Sequence, residues 1–415
     1  MLESGLAARF QLYFENSMPA SFSLCSTLRC ALLWAGIALA GAASAVPHIP
    51  ADGQQVVERL PARADPVQRE LARLRAELGK SPTDQKLAAA LAQRYIEQAR
   101  LEGDPRYLGY AESVLAPWWK QAQPPSQILV LRATLRQSTH QFAAALADLD
   151  AVVARDSDNA QAWLTRATIL TITGNFAAAR ASCMRLYSRA PALVIDTCLA
   201  EVGNVSGQAA QSYAALTRSL ERHADADRGL QVWVQTLLAE MAARLGDNAA
   251  AERWFRRALA FDDADSYLLA AYADFLLDQR RPAEVASLLK DKRRVDSLLL
   301  RYATAVDRID PAGAAAHRDA LRARFDAAML RGDTVHQREQ ARFELVLRKN
   351  PAAAVRLAKL NWAVQKEPAD LRILLECAAA SGDQEAKRLA LDWIARSGIQ
   401  DRTLDTALAR LKARA

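Results

Sequence analysis

Apolar positions along this chain recur with the period of a helix, and the helical pattern itself repeats. Within 131–149 and again within 165–183, large apolar residues recur at helical spacings, Phe142, Leu146 and Leu149 in the first and Ile169, Ile172 and Phe176 in the second. Sliding LRATLRQSTHQFAAALADL (131–149) along by 34 residues lays it over TRATILTITGNFAAARASC (165–183). Ala133 then falls on Ala167, Phe142 on Phe176, and the Ala143–Ala145 triplet on Ala177–Ala179. Each period predicts a first helix, a turn, a second helix with a small residue at its centre, and a loop marked by Pro or Asp. A unit of that size buries its apolar face only against its neighbours, so the pattern predicts an all-α stack of antiparallel helix pairs. Ala133, Ala167, Ala239 and Ala273 sit near the middle of first helices, where a small side chain lets the paired helix approach. Gly174-Asn175 and Gly246-Asp247 are placed to stop first helices, glycine supplying the left-handed C-terminal cap.

The pattern divides the chain into four stretches. Residues 1–45 form an N-terminal extension and signal, and 46–80 a Pro-containing tether with an amphipathic helix from about Pro66 to Leu78. Repeats fill 81–290, and 291–415 reads as divergent helical repeats ending in a polar cap. The turn at 102–110 (EGDPRYLGY) is enlarged, and 202–216 (VGNVSGQAAQSYAAL) departs from the 34-residue spacing.

The spacing resembles the tetratricopeptide repeat, W-x2-L-G-x2-Y … A-x3-F … P. Trp163, Ala167, Leu170, Gly174, Ala179 and Pro191 occupy its marker positions in one unit, and Leu129, Ala133 and Ala145 in the unit before. Ala239, Gly246, Ala251, Phe255 and Ala258 do so in a third unit, and Ala273, Leu276, Val285 and Leu289 in a fourth. The resemblance implies a right-handed superhelical solenoid whose concave wall is built from first helices. Carried over, the wall comprises Gln127, Val130, Thr134 and Gln137; Gln161, Leu164, Thr168 and Thr171; Trp233, Thr236, Glu240 and Ala243; Tyr267, Ala270, Asp274 and Leu277. Its polar members suit an extended peptide, whose backbone amides they satisfy, with Trp233 and Tyr267 as aromatic anchors. The expected partner is therefore a protein or peptide segment. The Lys/Asn carboxylate clamp of some members is absent from these positions, which disfavours binding of a chaperone tail. An accessory of polysaccharide export or cell-wall remodelling, binding a glycan or an enzyme complex, is the alternative reading.

Composition adds limits. Of 415 residues, 51% are apolar, only 7% are aromatic, and Ala and Leu dominate, which favours helix throughout. The formal charge of +7 is spread as single arginines among acids, with short clusters such as Lys290–Arg294. No aromatic-plus-basic platform or zinc-finger spacing accompanies it, so nucleic acid is not expected as a partner. Phosphate-binding, nucleophile-elbow, HExxH and EF-hand motifs are missing, and the five histidines lack partners at ligand spacing. Neither catalysis, a cofactor nor a metal is expected; the acidic loop Asp262–Asp265 reads as a helix cap.

Residues 18–45 carry one positive charge, Arg29, then an apolar run from Cys30 to Ala40 and an Ala43-Ser44-Ala45 cleavage pattern. They predict export to a bacterial periplasm, with Met18 as an alternative start and an uncleaved inner-membrane anchor as the alternative fate. No later segment is apolar enough to span a membrane. In an oxidising compartment Cys183 and Cys198, on consecutive antiparallel helices, are placed to form a disulfide; burial as free thiols is the alternative.

Overall fold

A computed structural model describes residues 65–413 apart from Asp263; the signal and tether lie outside the described residues. These residues contain 20 α-helices, one 3-10 turn and no strand. After α1 (Pro66–Lys80) come antiparallel pairs: α2 (Gln85–Glu102) with α3 (Arg106–Trp119), α4 (Ser126–Ser138) with α5 (Phe142–Arg155), and α6 (Ala160–Ile172) with α7 (Phe176–Met184). Next are α8 (Ala192–Val205) with α9 (Ala209–Arg222), α10 (Arg228–Leu245) with α11 (Asn248–Phe261), and α12 (Ser266–Asp278) with α13 (Pro282–Leu289). The last pairs are α14 (Asp296–Ile309) with α15 (Ala315–Leu330), α16 (Gln337–Val346) with α17 (Pro351–Val364), and α18 (Pro368–Ser381) with α19 (Gln384–Ser397). The 3-10 turn Arg402–Leu404 and α20 (Asp405–Ala413) close the described chain.

Local chemistry starts and stops these helices. Asp84, Asn159, Asn175, Asp227, Asp247 and Asp265 each accept the amide of the third residue on, satisfying a donor that a helix start leaves bare. Proline opens α1, α13, α17 and α18, where its missing N–H costs nothing. Gly174 and Gly246 take φ of +84° and +86° at the ends of first helices.

Packing follows the same logic. Each first helix touches the next from α2 to α18, giving a continuous inner layer, and the second helices form the outer one. Ala133, Ala167, Ala239 and Ala273 are fully enclosed, as close approach of paired helices demands. The fold is an all-α solenoid of helix pairs.

The ribbon winds further than its repeats alone foretell. Arg100, on α2, lies 3.6 Å from Asp265 at the start of α12, and Gly103 abuts Val295, so one turn of the coil meets the next. The last pairs then fold inside the curve. The Lys366 amide donates to the Ile172 carbonyl at 2.8 Å, and Trp393 packs against Phe176. Three successive inter-helix turns, at Gly174, Gly207 and Gly246, touch Trp393, Gly398 and Arg402 respectively. Arg372 of α18 forms a two-pronged pair with Asp278 of α12, both contacts at 2.6 Å. The C-terminal repeats thus pack back onto the central units.

Candidate binding cleft

Folding the last pairs inside leaves a cleft of about 1190 Å³ between α10–α13 on one side and α14, α16, α18 and the 402–410 segment on the other. Its inner part is a self-neutralised network. Arg301 reaches Asp274 at 2.7 Å and Glu339 at 3.2 Å, and Arg342 reaches the other oxygen of Asp274 at 2.7 Å. Those two guanidinium groups outweigh burial and hold Asp274 well below the usual carboxylate range. Arg338 binds Glu367 at 2.8 Å and Asp370 at 3.3 Å. Asp370 also accepts from Asn361, Gln365 and the Glu367 amide. Burial, reinforced by the Asp370 charge, pushes Glu367 up to about 8.

A smaller chamber of about 120 Å³ opens beside the network, lined by Glu201, Asn204, Tyr267 and Glu367 among others. Glu201 is 3% exposed and forms no ion pair, so burial, with the Glu367 and Glu240 charges adding to it, outweighs the Arg244 charge and raises its carboxyl far above the ordinary value. One Glu201 oxygen and Asn204 Oδ1 face no donor, and buried water is the natural occupant of so polar a space.

The wall residues inferred from the sequence divide in two. Gln137, Thr168, Thr171, Trp233 and Thr236 are buried. Thr168, Thr171 and Thr236 spend their hydroxyls on the carbonyls four residues back, at Leu164, Ala167 and Val232. Trp233 lies in the core with Leu230, Leu237 and Met241. These five offer little accessible surface, because first helices pack against each other. Gln127 is exposed and Gln161 half-buried, both away from the cleft lining. Glu240, Tyr267 and Asp274 do converge: the Tyr267 hydroxyl donates to Glu240 at 2.7 Å, and Glu240 and Asp274 line both spaces. Cys183 and Cys198 are joined in a disulfide between α7 and α8, with Cα atoms 5.8 Å apart; Cys377 is a buried free thiol. Among the described residues no group of His, Cys, Asp or Glu is arranged to hold a metal. No described helix is long and apolar enough to cross a membrane.

No family model matches the chain, and no curated protein does. Its likeness to solved structures is one of helical architecture. A tetratricopeptide repeat protein from Parabacteroides merdae is 17% identical with a TM-score of 0.42, over 57% of this chain and 92% of that one. A chain of the APC/C Cut9–Hcn1 hetero-tetramer is 14% identical with a TM-score of 0.42, over 80% of this chain and 59% of that one. Yeast Tom70 is 12% identical with a TM-score of 0.32, over 84% and 91%.

Sequence reasoning missed Arg301, Arg338, Arg342 and Arg372, which build most of the cleft. They lie beyond residue 291, where the repeat register fades and no wall position is assignable. The one signal was the pair of acids on the wall, Glu240 and Asp274, which ask for cations.

Proposed function

We propose that this chain is a non-catalytic interaction scaffold of the bacterial cell envelope, which receives a segment of a protein partner in the cleft between its central and C-terminal repeats. The observation that carries this reading is the cleft itself: a large, mixed polar and apolar space framed by helices, with five of its seven acids committed to ion pairs. Acids and arginines locked together in that way orient a surface but do not supply a free base or nucleophile. Export is supported by the signal-like pattern at 18–45 and by the Cys183–Cys198 disulfide, a bond that persists in oxidising compartments.

The test places a bulky side chain in the cleft. Ala369 is exposed and lines both spaces, so Ala369→Trp fills the cleft without disturbing the core. Cross-linking in intact cells, followed by affinity purification from the envelope fraction, compares the variant with the wild type. Loss of a partner that wild type recovers, with helicity unchanged, supports the reading. Equal recovery overturns the cleft as the site, and recovery from the cytosol alone overturns the location.

A further inference from the structure

The cleft does not balance its charges. Ten basic and seven acidic side chains line it, and the pairing is uneven. Asp274, Glu339, Asp278, Glu376 and Asp307 are each bound to arginine or lysine. Among the described residues, Arg244, Arg308, Arg402 and Arg410 make no ion pair. Arg308 has only the Leu277 carbonyl, at 2.7 Å. The Nε of Arg244 is buried with no hydrogen-bond partner, and Arg244 acts on Glu201 and Asp401 by charge alone. The aliphatic stem of Arg402 lies across the turn at Gly246, where a Cβ would approach within 2.7 Å of its Cδ. That contact anchors the stem at the cleft wall while leaving the guanidinium uncommitted.

Crowded guanidinium groups repel one another. Burial, with Arg342 and Arg372 nearby, lowers the Arg308 pKa although Asp278 and Glu376 act the other way, so the surrounding acids do not fully offset its neighbours. An anion with planar paired oxygens relieves this repulsion and matches the guanidinium fork. The aromatic residues of the lining, Phe255 and Phe275, are 1% and 6% exposed, so no ring face is free to stack a base. The interleaved acids also oppose a uniform phosphate backbone. Apolar surface from Leu345, Val346 and Ala369, each at least partly exposed, fits spacer side chains between carboxylates.

We infer that the ligand of this cleft is an acidic peptide segment, whose Asp or Glu carboxylates are taken up by Arg244, Arg308, Arg402 and Arg410. The inference rests on the scaffold reading above and names its ligand chemistry.

The test is fluorescence anisotropy on the disulfide-bonded chain with three labelled probes: an alternating Glu/Ala peptide, its Gln/Ala counterpart, and a single-stranded oligo(U) RNA. Arg402→Gln with Arg410→Gln removes two exposed cleft charges. Arg69→Gln with Arg73→Gln removes two exposed charges on α1, far from the cleft lining, as the control. The Glu/Ala peptide is expected to bind at least about tenfold more tightly than the Gln/Ala peptide, a gap of about 1.4 kcal/mol. The cleft pair is expected to weaken Glu/Ala binding by about tenfold or more and the α1 pair by less than about twofold, with the affinity falling as salt rises. Equal binding of the two peptides, or equal loss in the two variants, overturns the inference. Tighter binding of RNA overturns the peptide class, and no binding of any probe overturns the site. In each of those cases the partner recovered from the envelope, and its sensitivity to Ala369→Trp, still judges the scaffold reading separately.

Discussion

Two glycines with the same backbone provide a direct reading of whether the C-terminal repeats line the coil. Gly174 and Gly382 end first helices with φ of +84° and +80°. Alanine at either pays the left-handed penalty, roughly 1 kcal/mol. At Gly382 nothing lies within 4 Å of the added Cβ, so the cost stops there. At Gly174 the Cβ falls 2.2 Å from Cη2 of Trp393, a ring held by an edge-on contact with Trp362 at 5.5 Å and by Phe176 at 5.9 Å. The ring is rigid and 8% exposed, so it moves only by giving up its packing. Full removal of such a side chain costs ~3–5 kcal/mol, and a forced shift forfeits much of that. Gly174→Ala is therefore expected to cost about 3 kcal/mol in urea unfolding followed by circular dichroism, against about 1 kcal/mol for Gly382→Ala. In a Trp393→Ala background the Gly174→Ala cost is expected to fall to about 1 kcal/mol, a coupling of ~2 kcal/mol across the cycle. Equal costs at the two glycines with no coupling would refute the docking of α19 on the turn between α6 and α7, and with it the cleft.

Other expectations follow from single contacts. Reducing the Cys183–Cys198 bridge, or replacing both cysteines by alanine, frees a loop of 15 residues and should lower stability by about 3 kcal/mol, read as a drop in melting temperature in reductant. Glu201 is held protonated, so its contribution is complete below the unfolded value of 4.5 and is lost as pH rises towards its raised native value. Glu201→Gln should therefore gain on the wild type between urea titrations at pH 5 and pH 8, and a constant difference would sink the assignment. Asp148 receives Arg132 at 2.6 Å and Arg136 at 2.7 Å, all three shielded between α4 and α5. Asp148→Ala strands both guanidinium groups and should cost ~3–5 kcal/mol in thermal or urea unfolding.

How much of this was legible beforehand depends on the range of each interaction. Helix starts at Asp84, Asn159 and Asp247 and the turns at Gly174 and Gly246 are decided within a few residues, and the sequence pattern locates the turns. The enclosed alanines at 133, 167, 239 and 273 follow from the repeat, since a small residue at the crossing is a condition of any paired helix. Trp233 was harder: on one helix, core and groove faces lie only about 100° per residue apart, and a large ring suits both. The winding was not legible. It accumulates from small rotations between successive units, and a slight change in each decides whether Trp393 reaches Gly174 or misses it. The arginine cleft exists only after that closure, so no window of sequence contains it.

The contact between successive turns of the coil changes how the molecule should come apart. A straight array of repeats frays from its ends, each unit leaving with only one neighbour to lose. Here the terminal units are clamped: the hydrogen bond from Lys366 to Ile172 and the seat of Trp393 on Phe176 tie the last pairs to the middle of the chain. Peeling away the tail would uncover the inner helices of several central units at once, so unravelling from the C-terminus would have to breach the centre of the spring as well.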